Sequence, residues 1–157
     1  MYQNWASDEE VTKYLMWPVH SSTEVSKSIL DEWVEAYSDK SYYQWAIVLK
    51  DYEDEPIGSI GVVEMNENIS MVHVGYSIGR TWWHKGITSE ALKVVMDFLF
   101  DTVGVNRIES RHDPRNPYSG KVMEKCGMKY EGTLRSADYN NQGICDACYY
   151  ALLKAER

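Results

Sequence analysis

Residues 72–99 constrain the fold most, because an apolar strand, a short glycine-containing loop and an amphipathic helix follow one another there. The strand is expected over 72–78 and the loop over 79–88. After the loop, apolar residues recur three and four positions apart, which predicts a helix with one buried side. That side carries Ala91, Leu92, Val95, Phe98 and Leu99.

The loop before this helix has the features of an anion site. A helix N-terminus leaves backbone N–H groups without partners, and the helix dipole favours negative charge there. Gly86 lets a ligand approach the backbone, while His84 and Lys85 add hydrogen-bond donors. Because Lys85 precedes Gly86, the Walker order of glycine and lysine is not met, and no dinucleotide glycine motif occurs either. The loop is therefore predicted to bind a pyrophosphate through its main-chain amides.

The loop resembles the acetyl-CoA loop of the GNAT N-acetyltransferase superfamily, Gln/Arg-x-x-Gly-x-Gly/Ala. Here it reads Trp83-His84-Lys85-Gly86-Ile87-Thr88, with departures at the first and last positions. Further matches follow in the family's order: residues 106–111 resemble its fifth strand, 113–119 contain its Asn-x-x-Ser element, and 122–135 match its next helix-to-strand passage. The resemblance spans residues 43–153 and is greatest to the branch that acetylates N-termini of ribosomal proteins.

The resemblance implies a mixed α/β fold, in which a mostly antiparallel sheet is flanked by helices. The family's fourth and fifth strands are parallel and splay apart. The sequence pattern agrees: strands are predicted over 42–49, 57–65 and 72–78, joined by turns at 51–56 and 66–68, with a helical crossover to a strand over 107–111 and a last strand over 144–153. The family's first strand has no counterpart here, so either the sequence is truncated or this member lacks that strand.

The resemblance also implies a reaction, in which a primary amine directly attacks the thioester of acetyl-CoA. No covalent enzyme intermediate is needed, so no cysteine is expected to be catalytic. Residues expected at acetyl-CoA by this resemblance are Ser77, Ile78, Trp83, His84, Lys85, Gly86, Ile87, Thr88, Asn116 and Ser119. A non-catalytic acyl-CoA-binding or sensor domain is the alternative function.

Two catalytic roles are expected from the same resemblance. The tyrosine that many members use to protonate the thiolate is replaced by Met123, so Ser119 of the Asn-x-x-Ser element is the candidate donor. Ser119 could instead cap a helix N-terminus. Glu109 is the candidate general base, and an ion pair with Arg107 or Arg111 is its structural alternative.

Other groups could also take the proton from the amine. Glu64 and His73 are rivals to Glu109, although strand alternation turns His73 away from Val72 and Val74, toward solvent. A water relay without an essential base is a further alternative.

The resemblance implies that Trp17 lies where the family builds one wall of the acceptor cleft, and Tyr139 is the candidate for the opposite wall. Aromatic rings there suit an ammonium group. Trp17 could equally belong to the core. The acceptor class is a protein N-terminus, as the resembled branch implies, or a small amine.

Composition limits the remaining possibilities. The 157 residues predict a single domain over 1–157, and a net charge of −8 argues against general nucleic-acid binding. No targeting segment or membrane span is recognisable, and three sparse cysteines, including Cys145 and Cys148, suit a reducing cytoplasm as buried thiols rather than metal ligands. An open sheet edge near residue 45 gives a route to a homodimer.

Overall fold

The computed structural model describes residues 1–51 and 55–157, and over these residues six strands form one sheet in the order β1-β2-β3-β4-β6-β5. The strands are β1 (Gln44–Ile47), β2 (Gly58–Asn66), β3 (Met71–Ile78), β4 (Arg107–His112), β5 (Lys129–Asn140) and β6 (Gly143–Leu153). Neighbours are antiparallel except β3 and β4, which are parallel. The predicted mixed α/β class is confirmed.

Four α-helices accompany the sheet in the described part of the chain: α1 (Glu9–Thr12), α2 (Thr23–Ala36), α3 (Ile87–Phe98) and α4 (Pro117–Lys125). The first two begin at side-chain caps. The Asp8 carboxylate accepts a hydrogen bond from the Glu10 N–H (3.0 Å), and the Ser22 hydroxyl accepts one from the Val25 N–H (3.4 Å). By contrast, α3 begins at Gly86 without a side-chain cap.

The parallel strands β3 and β4 pair over only three residues each, ending at His73 and Glu109. Beyond that point the strands separate, as the family resemblance implies. The Ser110 hydroxyl donates to the Val74 carbonyl (2.8 Å) at the start of this opening. The separation leaves the C-terminal half of β3 without a backbone partner on its β4 side.

The core lies between one face of the sheet and helices α3 and α4. Val72 and Val74 of β3 and Ile108 of β4 are fully buried there, against Leu92 of α3 and Met123 of α4. Burial of such a side chain contributes roughly 1.5–3 kcal/mol.

The predicted inward side of α3 is confirmed for Leu92, Val95 and Leu99. Phe98 is different, since 37% of it is exposed and its ring packs edge-on against Trp45 of β1 at 5.7 Å.

The N-terminal part of the sheet differs from the expected strand lengths. Strand β1 has four residues rather than the predicted eight, and it lies at an edge of the sheet. Among the described residues no strand precedes α1, where the chain instead forms a π-helical turn at Tyr2–Ala6. The predicted turn over 51–56 falls partly on residues 52–54, which lie outside the described residues. The homodimer stays a prediction.

A buried carboxylate, that of Asp113, joins the segment after β4 to the β5–β6 hairpin. It accepts hydrogen bonds from Arg115 Nη2 (2.6 Å) and from Asn140 Nδ2 (2.8 Å). Burial opposes the charge of this carboxylate, but the hydrogen bonds from Arg115 and Asn140 prevail and hold the pKa of Asp113 well below its ordinary value. The loop that leads into α4 is therefore fixed by a charged contact.

Replacing this carboxylate by an amide is expected to destabilise the protein. Asp113→Asn should lower the free energy of unfolding by about 1–3 kcal/mol at pH 7, because hydrogen bonds to a charged group are lost. Since the folded-state pKa is lowered, the stabilisation is present above the unfolded value of about 3.9 and is lost as the pH falls below it. Denaturant unfolding between pH 7 and pH 3 should thus show the two proteins converging.

The matched control is Asp97→Asn, which removes an exposed ion pair with Arg157 and should change stability by less than about 1 kcal/mol. A wild-type advantage over Asp113→Asn that grows as the pH falls would contradict this account.

Candidate active site

A cavity of about 380 Å³ lies beside the C-terminal end of β3, past the point where its pairing with β4 ends. Four segments contribute to its lining: the end of β3, the loop and first turn of α3, helix α4 with the residue before it, and the region of α1. The lining residues are Val11, Tyr14, Leu15, Tyr76, Ser77, Ile78, Trp82, Trp83, His84, Gly86, Ile87, Thr88, Ser89, Asn116, Tyr118, Ser119, Lys121, Val122 and Lys125. A cavity of this size lies within the usual range for small-molecule sites.

Most of the residues predicted from sequence to contact acetyl-CoA line this one cavity. Of the ten predicted residues, only Lys85 does not; its ammonium group lies 4.7 Å from the centre of the Trp82 ring. Seven further lining residues carry polar or aromatic groups and were not predicted from sequence: Tyr14, Tyr76, Trp82, Ser89, Tyr118, Lys121 and Lys125. The two lysines lie one helical turn apart on α4, and nothing in their local sequence marks them as facing the loop.

The loop exposes a run of backbone donors. Among the described residues, none of the N–H groups from 84 to 89 donates an intramolecular hydrogen bond, and the first bonded amide is that of Glu90, to the Gly86 carbonyl (3.0 Å). His84 and Gly86 both have positive φ, 61° and 80°. These left-handed residues turn the chain into α3, so that the free amides converge on the helix N-terminus.

Two contacts fix this loop beside the cavity. The indole N–H of Trp83 donates to the Ile78 carbonyl (3.0 Å), which ties the loop to the end of β3. The His84 ring packs edge-on against Tyr118 of α4, with centroids 4.5 Å apart. The departure from the family pattern at position 83 thus keeps a side-chain donor, one that secures the loop.

Positive charge lies near the free amides. The Lys125 ammonium group is within 3.4 Å of the position that a Cβ on Gly86 would occupy, and Lys121 also lines the cavity. A diphosphate suits this combination of groups: free backbone donors, the N-terminus of the twelve-residue helix α3, and two lysines.

Ser119 lies inside α4 rather than at its cap. The N-cap is Asn116, whose carbonyl accepts the Ser119 N–H (3.2 Å), so the alternative that Ser119 caps this helix is wrong. The Ser119 hydroxyl instead lies 3.0 Å from the hydroxyl of Tyr76, on β3. The Asn116 side chain caps nothing and lines the cavity.

Glu109 faces the opposite side of the sheet from Ser119. Its carboxylate accepts a hydrogen bond from Arg107 Nε (3.0 Å), so Arg107 is the ion-pair partner anticipated as the structural alternative. The other carboxylate oxygen of Glu109, Oε1, lies 3.6 Å from His73 Nδ1. Glu109 does not line the cavity.

His73 is buried, with 4% exposed, so the expectation that it faces solvent is wrong. Side chains on β2 and β4 cover it: Glu64, Glu109 and Arg111. Burial and the nearby Arg111 guanidinium lower the pKa of His73, although both carboxylates oppose this shift. The His73 Nδ1 atom has no hydrogen-bond partner among the described residues.

The two predicted acceptor residues do not line the cavity. Trp17 packs on the small cluster of Trp5, Ala6 and Val11, which supports its core alternative. Tyr139 is 56% exposed on β5. The segments that carry them do meet, because the Asn141 side chain donates to the carbonyls of Thr12 and Trp17, both at 2.8 Å.

None of the three cysteines lines the cavity. Cys126 and Cys145 are buried and Cys148 is partly buried, all as free thiols. In residues 1–51 and 55–157 no three His, Cys, Asp or Glu side chains are grouped so as to hold a metal ion. None of the helices described there is both long and apolar enough to cross a bilayer.

Comparison with known proteins identifies the family. The family model described as "Acetyltransferase (GNAT) domain" matches residues 1–129. The chain belongs to the GNAT acetyltransferase family. It is an N-acetyltransferase by its relatives, and acetyl-CoA is the donor of that family. Among relatives, an uncharacterized N-acetyltransferase p20 of Bacillus licheniformis is 32% identical over 98% of this chain and 85% of its own length.

Solved structures of GNAT proteins share the fold. A GNAT-family acetyltransferase of Bacillus anthracis superposes with a TM-score of 0.84 at 24% identity, covering 99% of this chain and 90% of that one. Ribosomal-protein-S5-alanine acetyltransferase of Vibrio fischeri gives 0.82 at 24% identity, covering 95% and 82%. At these identities the likeness establishes the fold alone.

The free amides of the loop give a prediction about acetyl-CoA binding. Gly86→Ala should weaken the affinity for CoA by about tenfold, since a left-handed conformation strains any other residue and the loop amides must shift. Isothermal titration with CoA measures this.

Gly104→Ala is the matched control: it has φ 83°, open space around its Cβ and no place in the cavity. It should cost similar thermal stability and leave CoA affinity unchanged. Equal loss of affinity in both variants would contradict the role of the loop.

Proposed function

We propose that this protein transfers an acetyl group from acetyl-CoA to a primary amine by direct attack within a ternary complex. The observation that carries the proposal is the run of free amides from 84 to 89, beside a cavity that the unpaired end of β3 also lines. The amides would hold the pyrophosphate, with Lys121 and Lys125 adding charge. The pantetheine chain would follow the gap past Asn116 to Ser119.

The thioester carbonyl would meet unpaired main-chain groups of β3. The Val74 and Ile78 carbonyls both point to the β4 side, where Ser110 and Trp83 bond them. Because alternate residues of a strand share one direction, the Tyr76 peptide groups point there too. Tyr76 has no β4 partner, so its N–H is the candidate for stabilising the oxyanion.

Ser119 and Glu109 would act from opposite sides of the sheet. Ser119 would donate a hydrogen bond to the sulfur as the carbon–sulfur bond breaks. Glu109 would accept the proton of the incoming amine, directly or through water, beside His73.

The proposed acceptor is a protein N-terminus. A relative of Escherichia coli named [Ribosomal protein uS5]-alanine N-acetyltransferase is 35% identical over 38% of this chain and 31% of its own length. The net charge of −8 would attract a basic protein tail. A small amine is the alternative acceptor that the assay must include.

Acceptor choice is tested by CoA release, with free thiol detected colorimetrically. Peptides with free N-terminal alanine should be acetylated, and the same peptides blocked at the N-terminus but carrying lysine should not. A polyamine tests the small-amine class. Tight acetyl-CoA binding without turnover on any amine would overturn the proposed reaction and favour an acyl-CoA sensor.

Removing the Ser119 hydroxyl should slow the reaction without weakening cofactor binding. Ser119→Ala is expected to lower kcat by about tenfold to a hundredfold, since one donor to developing charge is lost. Ser28→Ala, an exposed position on α2, is the control and should retain wild-type turnover. Unchanged kcat in Ser119→Ala removes the role assigned to Ser119.

The base role of Glu109 has its own matched control, because Glu131 pairs with the same guanidinium. Glu109→Gln is expected to lower kcat by about tenfold or more, with the loss greatest at low pH, where amines are most protonated. Glu131→Gln should leave kcat unchanged. Equal effects of the two substitutions would show that only the Arg107 ion pair matters.

A further inference from the structure

The Tyr76 hydroxyl contacts both the carbonyl and the hydroxyl of Ser119. The Tyr76 side chain lies on the α4 side of β3, lines the cavity, and places its hydroxyl 2.9 Å from the Ser119 carbonyl and 3.0 Å from Ser119 Oγ. Both contacts join β3 to α4. The roles assigned so far use only the backbone of Tyr76 and leave its hydroxyl unexplained.

Counting protons determines which hydroxyl donates. The Ser119 carbonyl can only accept, so the single Tyr76 proton is donated to that carbonyl. The second contact, between the two hydroxyls, must then be filled by the Ser119 proton, with Tyr76 Oη as acceptor. In this arrangement Ser119 presents lone pairs, rather than its proton, to the cavity.

Neither hydroxyl is acidic enough to surrender a proton to a thiolate. An ordinary thiol has a pKa near 8.5 and an ordinary tyrosine one near 10. Burial raises the pKa of Tyr76 further, outweighing the opposing hydrogen bond with Ser119. The pair can therefore stabilise a thiolate only by donating hydrogen bonds.

We infer that Tyr76 is a positioning residue that supports Ser119 through a reversal of their hydrogen bonds. As the carbon–sulfur bond breaks, its electron pair goes to sulfur and the Ser119 proton turns from Tyr76 to the sulfur. The Tyr76 proton turns from the Ser119 carbonyl to Ser119 Oγ, which strengthens that hydroxyl as a donor. Both residues keep their protons, and the proton that completes the thiol comes from the attacking amine. This inference rests on the proposed function.

The test is the ionisation of CoA bound to the enzyme, which needs no amine acceptor. Thiolate absorbance near 240 nm is titrated for the enzyme–CoA complex, with the complex of desulfo-CoA subtracted. Donors to the thiolate lower the thiol pKa. Tyr76→Phe should raise that pKa by roughly half a unit and lower kcat about threefold, with the KM for acetyl-CoA unchanged.

A double-mutant comparison separates this role from packing. Ser119→Ala should raise the bound thiol pKa at least as much, and adding Tyr76→Phe to it should have no further effect. Tyr130→Phe removes an exposed hydroxyl bonded to Thr133, outside the cavity, and is the control.

The outcomes distinguish failure of the role inferred for Tyr76 from failure of the proposed function. A bound thiol pKa that is the same in wild type and Tyr76→Phe overturns the inference, as does full additivity with Ser119→Ala. Failure of every variant and of wild type to bind CoA overturns the proposed function itself. Wild-type CoA binding and thermal midpoint in Tyr76→Phe exclude misfolding as the cause of a shift.

Discussion

The separation of β3 from β4 after His73 and Glu109 is the constraint on which the rest of the structure depends. Parallel strands normally satisfy each other's peptide groups along their whole length, so unpaired groups inside a sheet are costly. Here Ser110 satisfies the Val74 carbonyl, Trp83 satisfies the Ile78 carbonyl, and the Tyr76 hydroxyl joins β3 to Ser119 of α4. Side-chain donors thus satisfy two backbone carbonyls of β3 beyond the point where its pairing with β4 ends.

The two sides of this gap have different chemistry. On the side of α3 and α4 lie free amides, lysines and the two bonded hydroxyls, which suit an anionic cofactor and its thioester. On the other side lie the carboxylates of Glu109, Glu64 and Asp138, which form ion pairs with Arg107 and Arg111. Binding on one face and proton removal on the other would be linked through an opening in the sheet, without any covalent enzyme intermediate.

Sequence patterns predicted the local features of this fold and missed several that depend on tertiary contact. The loop from 83 to 88 and the α3 face of Leu92, Val95 and Leu99 are encoded by adjacent residues, so they could be read directly. The α4 N-cap at Asn116 rather than Ser119 could not, because the position of the cap depends on where the preceding loop ends. That endpoint is fixed by Asp113 contacting Asn140, 27 residues away.

Cavity residues such as Tyr76 were missed for the same reason, because their role depends on tertiary contacts. Tyr76 occupies an inward strand position, and alternation alone predicts only that it is buried. Its partner is 43 residues distant, so the pair of hydroxyls emerges only once β3 and α4 are packed together. The burial of His73 likewise depends on long side chains from β2 and β4 folding over it.

The most direct measurement of the central claim is an amide NMR titration of the full chain with CoA and, separately, with pantetheine. The account predicts large downfield proton shifts for the amides of 84–89 with CoA and none of that size with pantetheine, which lacks the pyrophosphate. Equal shifts with both ligands, or saturable CoA binding that leaves these amides unmoved, would contradict it.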